Sequence, residues 1–444
     1  MAVLTLDTAL PRGGKSFRRA PLAWFLSLLL ILMIGSSTVL AHRNVDAAIP
    51  LDAAAVVIGP GGELTRVSAT DGLVPGSRVL SGMPESVDLA REQAAWLAAG
   101  TVPRVSGLSG DMVSVALLDL HVLSRPYGVP VAGWSNAWRY VWPRDSALVA
   151  AAFARTGHLG DAERILDFLQ QVQPESGLFQ ARYLPDRTGV PDGRGVELDG
   201  LGWALWATAQ VAAELAEPER PAFVQRHRML IDRSTSAALN SIDNSSALPG
   251  PSADYWEVKE HRLTLATAAL VSAGLESSAN LYRILGDDHQ ARMATAGAAR
   301  TRAAIITNFG RAGYPRHLGG RSDSTDLGVD FLLPPMTSGV DQTVLRAWDQ
   351  APRLMARPGG GLAPGGSWRR DGISWTNVTA SRAMTAAFTG HRNEAMARLH
   401  WLDQHRTAAG SLPEKVLPNG QPASVAPLAW TAAAVVITAD QLSG

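Results

Sequence analysis

Phe153-Ala154-Arg155-Thr156-Gly157 leads directly into His158-Leu159-Gly160-Asp161-Ala162, and this stretch decides the fold of the chain. Its first half has the composition of a helix end, its glycine suits a left-handed cap, and its second half begins another helix. The same arrangement returns at 282–292 and 387–398, with an alanine on the presumed packing face of the second helix each time. Repeated helix–glycine–helix units predict stacked or ring-closed helix pairs, and their irregular spacing favours a toroid with long loops.

From about residue 84 onward, the rest of the chain also has the sequence pattern of a helical protein. Segments of helical length alternate with Gly, Pro and Asp punctuation, and sustained two-residue strand patterns are scarce. The expected helices cover residues 85–99, 145–155, 161–171, 197–215, 220–239, 263–273, 288–308, 340–354, 376–388, 393–404 and 426–439. The sequence therefore predicts an all-α domain over residues 84–444.

Composition excludes several classes of function. Lys plus Arg and Asp plus Glu both total 40, so no charge excess predicts a nucleic-acid partner. The chain has no cysteine, which excludes disulfides and thiolate chemistry, and its histidines lack metal-ligand spacing. We therefore expect no metal and no cofactor. Thirteen tryptophans against six tyrosines suit either carbohydrate sites or a helical core, and composition does not separate the two.

The N-terminus predicts export. Residues 1–20 form a basic region containing Arg12, Lys15, Arg18 and Arg19, and residues 21–41 form an apolar run that ends in small residues. Positive charge before such a run predicts that the remainder crosses the membrane. The run suits either a cleaved signal peptide or a single transmembrane anchor, so the protein is expected to be envelope-anchored or secreted. Residues 42–83 are expected to form a linker with a possible short hairpin.

Four stretches combine tryptophan, glycine and charge in a way that interrupts the amphipathic pattern. In the first, Trp142 precedes Pro143-Arg144-Asp145 at a helix start, where an indole can cover a sugar ring while Arg144 and Asp145 bind hydroxyls. A helix start with its own ion pair explains these residues equally well. In the second, Asp199 lies beside Gly200 and Gly202, whose presence in a helix indicates close packing.

The other two stretches carry glutamates. Glu257 follows Trp256, and partial desolvation beside an indole would favour the protonated form that a general acid needs. Glu414 lies in a proline-containing loop before the last helix. Taken singly, each could be an ordinary helix-start or loop acid. Inverting glycoside hydrolysis needs one carboxyl group to protonate the leaving oxygen and another to activate water, and a toroid can bring distant loops together.

These stretches resemble glycoside hydrolase family 15, the glucoamylase-like family. The similarity rests on residues 140–145 (YVWPRD), 197–202 (ELDGLG), 254–257 (DYWE) and 412–414 (LPE), in that order, and it extends from about residue 130 to the C-terminus. The resemblance implies an (α/α)6 barrel that hydrolyses α-glucosidic bonds from the non-reducing end with inversion.

The resemblance also implies roles for individual residues. Glu257 matches the family's general acid and Glu414 its general base. Residues matched to substrate binding are Trp142, Arg144, Asp145, Asp199, Trp256 and Trp375. The implied partner is a carbohydrate, and the chain is expected to be a monomer.

Two departures from the family pattern lie beside the catalytic positions. Val258 stands where fungal-type members have a second glutamate, and Lys415 stands where bacterial members often have glutamine. Both bear on the leaving-group site, so dextrin, dextran, trehalose and an envelope glycan all stay open as substrates. A barrel that binds glycan without cleaving it and a glycoside phosphorylase are the alternatives, although a phosphorylase needs no carboxylate base.

Overall fold

The structure, a computed structural model, describes residues Ile49–Gly444, which form one compact unit. The apolar run at 21–41 and the basic region before it lie outside the described residues. Within residues 49–444, no helix is long and apolar enough to cross a membrane.

The described chain is mostly helical. In order, the helices are α1 (Ser86–Ala99), α2 (Met112–Ser124), α3 (Pro143–Arg155), α4 (Leu159–Val172), α5 (Asp199–Glu214), α6 (Arg220–Arg226), α7 (Arg228–Ser241), α8 (Leu265–Ile284), α9 (Asp288–Phe309), α10 (Gln342–Met355), α11 (Thr376–Phe388), α12 (Arg392–Gln404) and α13 (Ala429–Ser443). A hairpin joins β1 (Ala55–Ile58) to β2 (Leu64–Val67), and a small antiparallel sheet contains β3 (Ser374–Trp375), β4 (Lys415–Val416) and β5 (Pro422–Ala423).

The helices close into two concentric rings. The inner ring runs α3, α5, α8, a 3-10 helix at Leu327–Leu332, α11 and α13, and α13 packs back against α3. Each inner element is covered by an outer helix: α2 packs on α13, α4 on α3, α7 on α5, α9 on α8, α10 on the 3-10 helix and α12 on α11. This is the (α/α)6 barrel that the family resemblance implies. The fourth inner position holds a single 3-10 helix where the other five hold α-helices.

The repeats that predicted the toroid are its tight turns. Gly157, Gly286 and Gly390 all have positive φ angles, and each lies between an inner helix and the outer helix that follows. The alanines predicted on the packing face, Ala162, Ala291 and Ala395, are buried. The prediction is therefore confirmed at all three places.

Burial separates the two rings. In α13 nearly every residue from Ala429 to Ala439 is buried, whereas in the outer helix α10 the buried positions are Val344, Trp348, Ala351 and Met355. That spacing places one apolar stripe against the barrel and leaves the other face to solvent. The chain therefore has an apolar wall between the rings and polar outer faces.

Three helix predictions differ from the structure. Helix α2 was not predicted, because the β1–β2 hairpin and α13 cover it and remove the amphipathic pattern that marks an outer helix. The helix expected over 220–239 is interrupted at His227, whose buried Nδ1 lies 3.1 Å from the Phe223 carbonyl oxygen. Helix α8 continues to Ile284, well beyond the expected end at residue 273.

The segment before α1 packs against the helical body. The expected hairpin is present, and β1 is buried along its whole length. After it, the buried Arg78 guanidinium forms an ion pair with Asp119 of α2, with an N–O distance of 2.5 Å. Further back, the Ser424 amide donates to the Pro50 carbonyl, and the Asp52 amide donates to the Ser424 carbonyl, both at 2.9 Å.

Gly202 of α5 lies at a close approach between two inner helices. A Cβ atom at this position would lie 2.2 Å from the Leu270 carbonyl oxygen of α8, and a Cβ at Gly274 would lie 2.7 Å from the Gly202 Cα. Rigid backbone therefore fills the space that any side chain would need. This confirms that a glycine costly to helix stability is present because another backbone packs against it.

We expect Gly202→Ala to lower the free energy of unfolding by about 3 kcal/mol, because two helix backbones would have to separate. Gly160→Ala in α4 is the matched control, since only the Arg164 side chain, at 3.8 Å, lies near its Cβ position. That variant should change stability by less than about 1 kcal/mol, because Gly160 lies in the first turn of the helix, where the propensity of alanine counts for less than in the interior. Urea denaturation measures both, and equal stabilities of the two variants would contradict the packing explanation.

Candidate active site

All six long loops that lead into the inner ring lie at one end of the barrel. The inner-to-outer connections are short at the glycine turns, so the long segments are those that precede α3, α5, α8, the 3-10 helix, α11 and α13. These segments carry the four stretches singled out in the sequence. The positive ends of the inner helices therefore face the same region as the clustered carboxylates, which favours negative charge there.

Five of these loops line a pocket of about 320 Å³, and the loop before the 3-10 helix contributes no residue to its lining. Its aromatic lining is Trp138, Trp142, Tyr255, Trp256, Trp368, Trp375 and Trp430. Its charged lining is Arg144, Asp145, Arg194, Glu257, Glu414 and Lys415. Arg144 and Asp145 are buried, whereas the Arg194 side chain is 36% exposed, so the pocket has a closed inner end and an open mouth.

The pocket collects seven of the eight residues proposed from the sequence. Both glutamates line it, together with Trp142, Arg144, Asp145, Trp256 and Trp375. Asp199 is buried and does not line the pocket; its carboxyl group lies behind Arg144, whose positive charge it shares with Glu197. No cluster of three His, Asp or Glu side chains with metal-binding geometry occurs among residues 49–444.

Glu257 sits on a strained turn. Its φ angle is 54°, in the left-handed region that non-glycine residues seldom adopt. The Glu257 amide donates to the Asp254 carbonyl at 2.7 Å, and the Trp256 amide donates to Asp254 Oδ1 at 3.0 Å. Side-chain and backbone hydrogen bonds to Asp254 thus hold the turn that directs Glu257 into the pocket.

Two guanidinium groups contact the Glu257 carboxylate. Arg144 Nη2 donates to Oε1 at 3.1 Å, and Arg194 Nη1 donates to Oε2. The face of Trp256 is covered by the Arg316 guanidinium at 3.7 Å. Glu257 was singled out because desolvation by the tryptophan would favour its protonated form. The two cations oppose that effect, because they favour the ionised carboxylate.

Glu414 has a different environment. Its Oε2 accepts from the Ser424 hydroxyl at 2.6 Å and lies 3.0 Å from Lys415 Nζ, while Oε1 accepts from Trp138 Nε1 at 3.3 Å. Its backbone is fixed because the Thr376 amide donates to the Glu414 carbonyl at 3.0 Å. Ser424 has a φ angle of 67°, so a left-handed residue lies beside this carboxylate too.

The inner end of the pocket is a buried charge cluster around Arg144. The guanidinium donates to Glu197 Oε2 at 3.3 Å and lies 3.7 Å from Asp145 Oδ2. Burial raises the pKa of Asp145 to about 6, and the Arg144 charge opposes that rise. Burial likewise raises the pKa of Asp199, with the Glu197 charge adding to the effect.

A second buried arginine supports the Glu257 turn from behind. The Arg316 side chain is fully buried and donates to Asp254 at 2.8 Å, to Asp326 at 2.7 Å and to Glu260 at 2.6 Å. Two of these carboxylates flank Glu257 in the chain. The position of Glu257 therefore depends on this arginine.

Several polar atoms of the lining have no partner within the described residues. They include the indole N–H groups of Trp142, Trp256, Trp368 and Trp375 and the Oδ1 atom of Asn377. Buried donors of this kind need a partner. A ligand rich in hydroxyl groups would supply acceptors and donors for them.

The support that known proteins give to this architecture comes from the comparison of structures and not from the comparison of sequences. No family model and no curated protein sequence matches the chain. A glycosidase variant solved in complex with glucose is 20% identical with a TM-score of 0.65, and the match covers 75% of this chain and 96% of that one. A bacterial glucoamylase complexed with acarbose is 16% identical with a TM-score of 0.64, covering 82% of this chain and 62% of that one.

The chain has the glucoamylase fold. A family 15 glucoamylase from Hypocrea jecorina shares it at a TM-score of 0.59 and 15% identity, with 79% of this chain and 72% of that chain covered. Identities this low show the fold alone, and the expectation of an (α/α)6 barrel is confirmed.

Sequence reasoning missed several residues of the pocket in this glucoamylase fold. Trp138 and Trp430 were not assigned to the site, and Lys415 was noted only as a departure from the family pattern. Arg194 and Trp368 come from loops that carried no signal, because a single arginine or tryptophan among glycines is typical of any surface loop. Glu197 was quoted only as part of a motif, and it is buried against Arg144.

Glu197 provides a pH test of the buried cluster. Burial raises its pKa from 4.5 to about 7, opposed by the Arg144 charge. The folded protein therefore binds this proton more tightly than the unfolded chain, so the residue's contribution to stability falls as pH rises through that interval. Relative to the wild type, Glu197→Gln should gain about 2 kcal/mol between pH 5 and pH 8, measured by urea denaturation.

The control for this comparison is Glu175→Gln, because Glu175 is exposed. This variant shows how far a glutamate-to-glutamine change at the surface alters the measured stability. A Glu197→Gln difference that does not depend on pH would show that Glu197 does not titrate in this interval.

Proposed function

We propose that the protein is an exo-acting, inverting glycoside hydrolase that cleaves α-glucosidic bonds, with Glu257 as general acid and Glu414 as general base. The observation that carries the proposal is the convergence of these two carboxyl groups, from distant parts of the chain, on one aromatic pocket. Inversion requires two carboxyl groups in different environments, and theirs differ in exposure and in hydrogen-bond partners.

The closed inner end of the pocket suits the terminal sugar of a chain. Arg144 and Asp145 offer charged hydrogen-bonding groups there, and Trp142 and Trp430 offer flat apolar faces. Sugars bind to such combinations because their ring faces are apolar and their edges carry hydroxyls. A pocket closed at one end accepts a chain terminus, which supports exo-action.

Glu257 is proposed to protonate the glycosidic oxygen. Its side chain is 27% exposed, between the buried inner end and Arg194 at the mouth, where the bond between the terminal sugar and its leaving group would lie. As the bond from C1 to oxygen breaks, its electron pair goes to the oxygen and the Glu257 proton follows. The leaving group then departs as an alcohol.

Glu414 is proposed to activate the attacking water. Its carboxylate accepts hydrogen bonds from Ser424 and Trp138 and forms an ion pair with Lys415, and these contacts hold its oxygens in place at the pocket. Water attacks C1 from the face opposite the leaving group and transfers its proton to Glu414. The product is then the β-anomer of the released sugar.

The experiment that tests this function follows sugar release by NMR from the full-length protein. The substrates are maltotetraose, isomaltotetraose, trehalose and glycans extracted from a bacterial envelope. Early release of β-glucose from an α-linked substrate is the expected result, and the panel identifies the linkage. Initial release of α-glucose would instead indicate retention.

Binding without turnover is the outcome that favours the second candidate, a barrel that recognises glycan without cleaving it. Isothermal titration with the same sugars separates that case from a sugar outside the panel. Requirement for inorganic phosphate and release of a sugar phosphate would identify a phosphorylase. Either result would overturn the hydrolase proposal.

We also propose that the protein acts outside the cytoplasm as a monomer, either anchored through residues 21–41 or released after cleavage there. The support is the sequence pattern of that region alone. Fractionation of the producing cells and mass spectrometry of the mature N-terminus decide between the two forms, and a wholly cytoplasmic, uncleaved chain would overturn export. Light scattering tests the oligomeric state.

A further inference from the structure

The pocket lining carries two positive groups in direct contact with the carboxylates proposed to act. Arg194 contacts Glu257, and Lys415 Nζ lies 3.0 Å from Glu414. Lys415 also lies over the Trp375 ring, with Nζ 4.4 Å from its centroid. Arg194, in contact with the proposed acid, thus flanks the side where the leaving group of a bound glycoside would sit, whereas Lys415 lies beside the proposed base.

Glu257 faces a chemical conflict in this arrangement. As a general acid it has to hold a proton before the bond breaks, yet Arg144 and Arg194 both favour its ionised form. Arg144 is buried and held by Glu197 and Asp145, so it cannot move away. Arg194 is exposed and belongs to the loop at 184–196, so it is the contact that can be exchanged.

The loop that carries Arg194 is held in place by a buried contact. Arg182 is buried, donates to the Ala137 carbonyl at 2.9 Å and pairs with Asp192. Asp192 lies two residues before Arg194 and 3.4 Å from its Nε atom. The Arg182–Asp192 ion pair therefore holds the loop so that the Arg194 guanidinium reaches over the mouth.

We infer that the leaving group of the natural substrate carries an anionic substituent, a carboxylate or a phosphate, which binds Arg194 and takes it from Glu257. This inference rests on the proposed function. Once Arg194 is paired with the substrate, Glu257 loses one of its two cations and can take up a proton from solvent. That proton then passes to the glycosidic oxygen as the bond breaks. Binding of an anionic leaving group therefore allows Glu257 to be protonated before it acts as the general acid.

Lys415 does not share this role. It contacts the proposed base, which acts on the face of the sugar opposite the leaving group. The expected preference for an anionic leaving group therefore rests on Arg194 alone.

The test compares substrates that differ only in the leaving group. The reference is the uncharged α-linked diglucoside that the full-length protein hydrolyses, and its analogues carry glucuronic acid or glucose 6-phosphate at the reducing end. We expect kcat/KM to be about tenfold or more higher for at least one anionic analogue, as charge-assisted hydrogen bonds allow. The analogue with the larger preference identifies the anion.

Arg194→Gln should bring the ratio of anionic to uncharged kcat/KM close to one, and Arg194→Lys should keep a preference because the charge stays. Melting temperatures establish that both variants are folded. An uncharged substrate cleaved as well as its anionic analogues by the wild type would overturn the inference and leave the hydrolase proposal standing. A ratio unchanged by Arg194→Gln would likewise overturn the inference and leave the hydrolase proposal standing. If no substrate is hydrolysed, the inference and the hydrolase proposal are both overturned.

Discussion

Replacing Glu414 or Glu257 by glutamine is expected to lower kcat by about 10³-fold or more on a natural α-glucoside, because general acid and base each contribute on the order of 10²–10⁴. Glutamine keeps the size and hydrogen-bonding shape of the side chain but cannot accept or release the proton. The fold should survive, since both carboxyl groups lie at the pocket and outside the apolar wall between the rings.

A substrate with a good leaving group separates the two roles. α-Glucosyl fluoride needs little help from an acid, so Glu257→Gln should keep most of its activity on this compound. Glu414→Gln should lose activity on both substrates, because water still has to be activated. Glu175→Gln at the exposed surface is the control and should act like the wild type. Comparable loss on the fluoride for Glu257 and Glu414 variants would contradict the assignment of acid and base.

Replacing Arg316 by leucine is expected to destabilise the protein by about 3–5 kcal/mol, because it leaves buried carboxylates without their cation. Asp254 and Asp326 are both fully buried and both bond to this one guanidinium. Loss of the arginine also frees the turn that carries Glu257. We therefore expect activity to fall by more than the fraction of unfolded protein accounts for.

Arg321→Leu is the matched control for this change. That side chain is 88% exposed, and its ion pair with Asp323 spans 3.3 Å at the surface, so its removal should change stability by less than about 0.5 kcal/mol. Urea denaturation gives both stabilities, and initial rates on folded protein give the activities. A small effect of Arg316→Leu would show that the buried cluster reorganises.

The architecture could be predicted because the residues that end one helix and begin the next are neighbours in the sequence. A glycine that ends an inner helix, and an alanine that packs at the start of the next, recur in a form that needs no knowledge of the tertiary contacts. The same locality explains the failure at α2. Once the hairpin and α13 cover that helix, its residues are buried on several sides, and the periodicity that reveals a helix in the sequence disappears.

The pocket could be predicted only where charge and tryptophan stand together in the chain. Glu257 and Glu414 satisfied that condition, and both line the pocket. Arg194 did not, because its importance arises from the Arg182–Asp192 ion pair, which joins residues of no local pattern. The high tryptophan content reflects both the site and the core. Six tryptophans line the pocket, while Trp203, Trp206 and Trp348 are core residues.

The hydrogen bonds between residues 50–52 and Ser424 have a consequence for how this protein can be shortened. Ser424 holds the Glu414 carboxylate through its hydroxyl, and its own backbone is held from both sides by the segment before β1. A truncation designed to begin at α1 would keep every helix of the rings and still release the residue that orients Glu414. The smallest unit that retains the geometry of this carboxylate therefore begins near Pro50, whose carbonyl oxygen accepts from the Ser424 amide.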